Sequence, residues 1–135
     1  MPDRPEEPKA TSINVAQYVD AVRQRHVAAS EQALLARLAL ADEYLQADLA
    51  NDAVDLLTSS AIDGHRIWGP ADARTFAVHL DLGDALLWAG RPLEALAEFS
   101  NVQVDLDRVL GADHPLTRRC VAAMAASTTA YEAMR

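Results

Sequence analysis

The chain has little of what most catalytic centres, and any membrane span, require. Cys120 is its only cysteine, which excludes an intrachain disulfide and a thiolate metal cluster and makes a reducing cytoplasm the expected compartment. Basic charge is scarce. Twelve Lys and Arg face 20 Asp and Glu, for a net charge of −8. Such a surface argues against a nucleic-acid partner, because phosphate binding needs a basic face, and against an anionic membrane surface. No apolar run reaches the roughly 18 residues that a membrane-spanning helix needs. Aromatic residues make up 5% of the chain, and alanine outnumbers the β-branched residues together, a balance that favours helix over strand. Proline is concentrated at the start, where Pro2, Pro5 and Pro8 sit among charged residues. That composition is the reverse of a secretory signal, and residues 1–11 are expected to be a disordered tail. Residues 12–135 are expected to form one domain, enough for a single core.

What the chain does have is a repeat. Leu40-Ala41-Asp42-Glu43-Tyr44-Leu45-Gln46-Ala47 aligns with Leu82-Gly83-Asp84-Ala85-Leu86-Leu87-Trp88-Ala89 at an offset of 42 residues. The same offset carries Ala53 onto Ala95, Leu57 onto Phe99, Asp63 onto Asp105, Arg66 onto Arg108, Gly69 onto Gly111 and Thr75 onto Thr117, without a gap. A fixed period of this size marks stacked helical units. Solenoids of that kind work by presenting an extended binding surface.

Helix signals follow the repeat. Thr11 or Ser12 can cap a first helix, on which Val15, Val19, Val22 and His26 share one face. Ser30 is read as the start of a second helix, with Leu34, Leu38, Ala41 and Leu45 on one side. The third spans about 52–68 and is the weakest by propensity, because it contains Ser59, Ser60 and Gly64. Gly69-Pro70 ends it. Asp72 can cap the fourth, Gly90 ends that one, and Pro92 fits the first turn of the fifth. Ala95, Phe99, Val102, Leu106 and Val109 form its apolar stripe, and Gly111 stops it. Asp113-His114-Pro115 opens a sixth. The expectation is all-α: about six antiparallel helices in a short superhelical array of hairpins, with loops of roughly two to five residues.

Leu82-Gly83, Leu86, Gly90-Arg91, Glu94-Ala95 and Phe99, followed by Arg108-Val109-Leu110-Gly111-Ala112-Asp113-His114-Pro115 and Thr117, resemble the tetratricopeptide repeat. The similarity is to its 42-residue variant, seen in kinesin light chains and in many bacterial signalling proteins. Residues 31–120 carry it best. The first repeat departs at Asp48, where the second has Gly90, and at Pro70-Ala71-Asp72-Ala73, where the second has Ala112-Asp113-His114-Pro115. Residues 12–29 resemble the second helix of an incomplete upstream repeat, and residues 115–134 the first helix of a third. Small residues (Ala41 with Ala53, Gly83 with Ala95) are expected where paired helices cross.

The resemblance implies a concave groove lined by the first helix of each hairpin. Carried onto this sequence, it is lined by Leu35, Leu38, Asp42, Leu45 and Gln46, then Ala77, Leu80, Asp84, Leu87 and Trp88, then Arg119, Ala122, Ala126, Thr129 and Ala130. Leu38, Asp42, Leu45, Gln46, Leu80, Asp84, Leu87, Trp88 and Arg119 are the candidate partner-binding residues. Trp88 is the candidate anchor, and Asp42 and Asp84 stand at equivalent positions. The plainer alternative is that these leucines only pack neighbouring helices together.

Candidates for chemistry are thin. His26, His65, His79 and His114 lack a second His or Cys at the helical spacing that metal sites use. His79 follows the apolar side of its helix and is read as a packed core residue. His114 belongs to the loop motif, where the resemblance makes it structural. Cys120 beside Val121 and Met124 is read as a buried, inert thiol. No phosphate-cradling glycine loop is present. The chain is therefore expected to be non-catalytic, without cofactor or metal: an adaptor binding a protein or peptide segment in a leucine-lined, weakly acidic groove. Two alternatives stand beside it, a self-associating (homodimeric) module and the repeat arm of a larger bacterial regulator.

Overall fold

Five α-helices and no strand account for the ordered backbone of residues 14–135, the part of the chain that the computed structural model describes. They are α1 (Val15–Gln46), α2 (Ala50–Ile67), α3 (Ala73–Trp88), α4 (Pro92–Val109) and α5 (Pro115–Ala133). Each packs on the next, and α5 also packs on α3, the contact pattern of a helical repeat array. The expected tail and the expected caps at Thr11 and Ser12 lie outside the described residues. None of the helices is long and apolar enough to cross a membrane.

The 42-residue period holds in the backbone. Helices α2 and α4 each contain 18 residues, and both of their ends are displaced by 42. The same offset separates the last residues of α1 and α3, and the first residues of α3 and α5. The turns repeat bond for bond. Leu49 N–H donates to the Tyr44 carbonyl at 2.8 Å, and Arg91 N–H donates to that of Leu86 at 2.9 Å. Both turns need a residue in the left-handed region. Gly90 supplies it at φ 74°, and in the first repeat Asp48 takes φ 61°, which an aspartate tolerates better than most side chains do. One helix start is capped by the residue the sequence suggests, Asp72, and two by residues it does not single out as caps. Asp72 accepts from Arg74 N–H, and the His114 ring accepts from Leu116 N–H. Asn14 caps α1.

One expectation is overturned. There is no break near Ser30: the first two expected helices are the single 32-residue helix α1. The stretch His26-Val27-Ala28-Ala29-Ser30-Glu31-Gln32-Ala33 contains neither glycine nor proline, and a lone serine does not stop a helix that has no competing turn. The count is therefore five. The residues expected to form half of an upstream hairpin instead extend α1 beyond the array, where residues 14–29 are all solvent-exposed.

The core explains the small residues. Ala41, Ala53, Leu57, Ala95 and Phe99 are buried in one continuous cluster with Phe76, Leu80 and Leu106. A Cβ on Gly83 would lie 2.4 Å from two ring carbons of Phe99, and Phe99 has no exposed surface. One repeat earlier the pair is Ala41 and Leu57: where the narrower leucine replaces phenylalanine, a methyl group is accepted. Gly64 differs. A Cβ there would meet Trp68 at 3.6 Å and the Thr75 hydroxyl at 3.8 Å, ordinary van der Waals distances.

The two glycines therefore predict opposite outcomes. Gly83→Ala should destabilise by about 1–3 kcal/mol through overpacking. Gly64→Ala should stabilise by about 0.5–1 kcal/mol through helix propensity. Chemical denaturation of both variants checks the pair, and a shared sign would contradict this packing.

A second prediction comes from the repeated threonine. Thr75 Oγ1 donates across the loop, 2.7 Å from the Gly69 carbonyl and 3.2 Å from that of Gly64. Thr117 Oγ1 is equally buried and, among the described residues, has no hydrogen-bond partner. Thr75→Val should cost about 0.5–1.5 kcal/mol, whereas Thr117→Val should be neutral or stabilising, because it removes a buried hydroxyl that bonds to nothing. Equal losses would show that the two loops are equally bonded.

Candidate functional site

Helices α1 and α3 run side by side without packing tightly, and the gap between them is a cleft of about 340 Å³. Leu38, Ala41, Asp42, Leu45 and Gln46 line it from α1, Leu57 forms part of its floor, and Asp81, Asp84 and Trp88 line it from α3. Six of the nine candidate residues thus meet in one place: Leu38, Asp42, Leu45, Gln46, Asp84 and Trp88. The helical period brings this about, since 38, 42 and 45 share a face of α1, as 81, 84 and 88 do of α3. Trp88 stands at the rim with 68% of its surface exposed. A second cleft, of about 420 Å³, continues the trough towards Trp68; Leu38 and Asp81 line both, and Leu35 and Ala77 belong to the second.

Three candidates are placed differently. Leu80 is fully buried in the core and does not face the cleft. Its helix is the central one, covered by α2, α4 and α5, so the flank that stays half-open at Leu38 in α1 is sealed at Leu80 in α3. Leu87 packs against the core from its edge and does not line the cleft. Arg119 is tied up within the chain: its guanidinium donates to Asp81 and to Asp84, both at 2.7 Å. The remaining α5 positions, Ala122, Ala126, Thr129 and Ala130, line neither cleft.

These bonds redistribute the charge expected from the sequence. Asp42 and Asp84 are not equivalent in the folded chain, because Asp84 has an arginine and, among the described residues, no hydrogen bond or ion pair reaches Asp42. Asp81, which the sequence reading missed, completes the cluster. Burial pushes its carboxyl upward from the usual aspartate range; the Arg119 bond pulls it down; the neighbouring charges of Asp84 and Asp42 push it up again, and the balance is upward. The signal for Asp81 was present, since it sits three residues before Asp84 on the same helix face. Three carboxylates against one guanidinium leave the cleft net acidic.

Outside the cleft, Cys120 is completely buried and donates from Sγ to the Phe99 carbonyl at 3.3 Å. Burial, with the charge of Asp107, pushes its thiol up to about 11, so little thiolate exists near neutral pH. Among the described residues, no group of three or more His, Cys, Asp or Glu is arranged to hold a metal ion. His79 is mostly buried and hydrogen-bonded, to Glu98 and to His65. His65 was not legible as its partner, because 14 residues and a turn separate them in sequence. No protein-family model matches the chain, and no curated protein matches it in sequence.

Proposed function

We propose that the chain is a non-catalytic adaptor of tetratricopeptide-like build, which holds a protein segment in the trough between α1 and α3. The observation that carries this reading is the composition of the trough. It has an apolar floor (Leu38, Ala41, Leu45, Leu57) and an exposed tryptophan at its rim, and among the described residues no cation pairs with the Asp42 carboxylate. Clefts of a few hundred Å³ with an apolar lining and few polar groups are the usual form of a binding site, and Trp is over-represented among residues that dominate affinity. The segment that fits is helical or extended, with apolar side chains for the floor and one Lys or Arg for Asp42. Arg119 sets the register, because it already neutralises the Asp84 end and leaves the Asp42 end for the incoming cation. A carboxylate beside apolar surface is costly to desolvate without such a cation.

A second reading rests on a separate observation. Residues 15–29 of α1 project as an exposed helix whose Val15, Tyr18, Val19 and Val22 lie on one uncovered face. A helix of about 15 residues is marginal in water by itself, and a second copy of α1 laid against this face would cover it. In this reading the protein is a homodimer joined at its arms.

The trough reading is tested by panning a displayed peptide library against the immobilised protein. Enriched peptides should combine apolar residues with Lys or Arg. Trp88→Ala should weaken them about tenfold or more without altering the salt dependence. Asp42→Asn should weaken them and flatten the salt dependence while leaving the fold intact. Peptides that bind both variants as tightly as wild type would place the binding surface elsewhere. For the arm, molar mass in solution should fall from dimer to monomer on Val19→Glu with Val22→Glu; a wild type that stays monomeric at high concentration removes the second reading.

A further inference from the structure

Helices α2, α3 and α4 each bring one polar side chain to the same spot on the face away from the trough. His65 of α2 and His79 of α3 meet with their Nε2 atoms 2.8 Å apart and their rings nearly perpendicular. On the other side of the His79 ring, Nδ1 lies 2.5 Å from Glu98 Oε1 of α4. The carboxylate can only accept here, so Nδ1 carries the proton and the Nε2 lone pair of His79 is turned towards His65. His65 is exposed, whereas His79 and Glu98 are mostly buried. Around the pair lies an open cleft of about 420 Å³, walled by Thr58, Ala61, Ile62 and Leu82.

We propose that His65 and His79 form a two-histidine site for a borderline divalent transition metal, of the Zn²⁺, Ni²⁺ or Cu²⁺ class, in which Glu98 is a positioning residue. The reasoning begins with the lone pairs. A carboxylate on the far nitrogen of a ligating histidine fixes its tautomer and its ring orientation, as Glu98 does for His79. His65 must carry its own proton on Nδ1 and pivot its ring, because the two Nε2 atoms now face each other nearly head-on, with ring centroids 5.0 Å apart. A metal held tetrahedrally at about 2.0–2.1 Å from each nitrogen needs the two atoms about 3.3 Å apart. That is roughly half an ångström more than the present separation, and His65, being exposed, can move that far. Imidazole nitrogen selects this class of cation over Mg²⁺ or Ca²⁺, which prefer oxygen. With two protein ligands, the remaining positions open onto the cleft, where water or a donor from another molecule completes the shell. Among the described residues no third ligating side chain joins the pair, so the site as built is open and not a closed structural one. Because His65 and His79 lie on different helices, a bound ion clamps α2 to α3 and stabilises the folded chain in proportion to its occupancy.

The test is calorimetric titration of the full chain with Zn²⁺ and with Ni²⁺, in a background carrying His26→Ala and His114→Asn so that only the two site histidines remain. One ion per chain should bind saturably, Mg²⁺ should not compete, and Zn²⁺ should raise Tm. His65→Ala, at an exposed position that should not disturb folding, should weaken Zn²⁺ binding by at least about tenfold and abolish the Tm rise. His79→Ala should do the same. Glu98→Gln should weaken binding about tenfold, the usual loss when the carboxylate behind a ligating histidine is removed, without changing the stoichiometry. Imidazole NMR should show both Nε2 resonances shifting with zinc. The proposal is overturned if neither ion binds saturably, or if His65→Ala binds zinc as tightly as the background protein.

Discussion

The fold depends on how closely α3 and α4 approach, and Gly83 sets that distance. Phe99 lies directly over the glycine, in the space that a methyl group would occupy. Phe99 is also part of the central cluster with Leu80, Leu106 and Cys120, and its backbone carbonyl accepts from Cys120 of α5, so the same residue meets both neighbours of α4. The first repeat solves the same problem with Ala41 and Leu57. The two solutions differ in volume at both positions and in compensating directions, as close packing requires.

The trough is where the chain departs from what stability alone would choose. A carboxyl whose pKa is raised on folding holds its proton more readily folded than unfolded. Its charge therefore works against the fold at neutral pH, and the cost is relieved as pH falls through the folded-state value. Asp81 is such a group. Arg119 offsets part of that cost by bridging Asp81 and Asp84; it holds two like charges on one helix face and fastens α5 to α3 at the same time. Its own charge is used in doing so. The α5 end of the acidic cluster is thus structural in character, and the α1 end is open.

Sequence reasoning succeeded where the chain carries punctuation. Gly69-Pro70, Gly90, Pro92, Gly111 and Pro115 are backbone instructions, and every boundary from the end of α2 to the start of α5 falls within a few residues of them. It failed at Ser30, where the expected cap has no glycine or proline beside it and the backbone continues through. The trough was legible in part for a related reason. Residues 38, 42 and 45, like 84 and 88, lie on one helix face, so period alone groups them. Period cannot say which faces a third helix will cover, and so Leu80 was misplaced. Nor can it say which acid an arginine 35 residues away will reach, as Arg119 reaches Asp84.

The histidine pair extends the same limit. Nothing in the spacing of His65, His79 and Glu98 groups them, since the 42-residue offset leads from none of them to another. They meet because the α2–α3 and α3–α4 turns return the chain on itself, and each helix contributes one titratable residue to a surface otherwise lined by Thr58, Ala61, Ile62 and Leu82. The arrangement is particular to one place in the array. One repeat later, the positions of His65 and His79 are held by Asp107 and Val121, which could not reproduce it. A repeat fold imposes the same backbone on each unit and leaves side chains free to differ. The trough on one face and the histidine pair on the other are places where these two units have used that freedom.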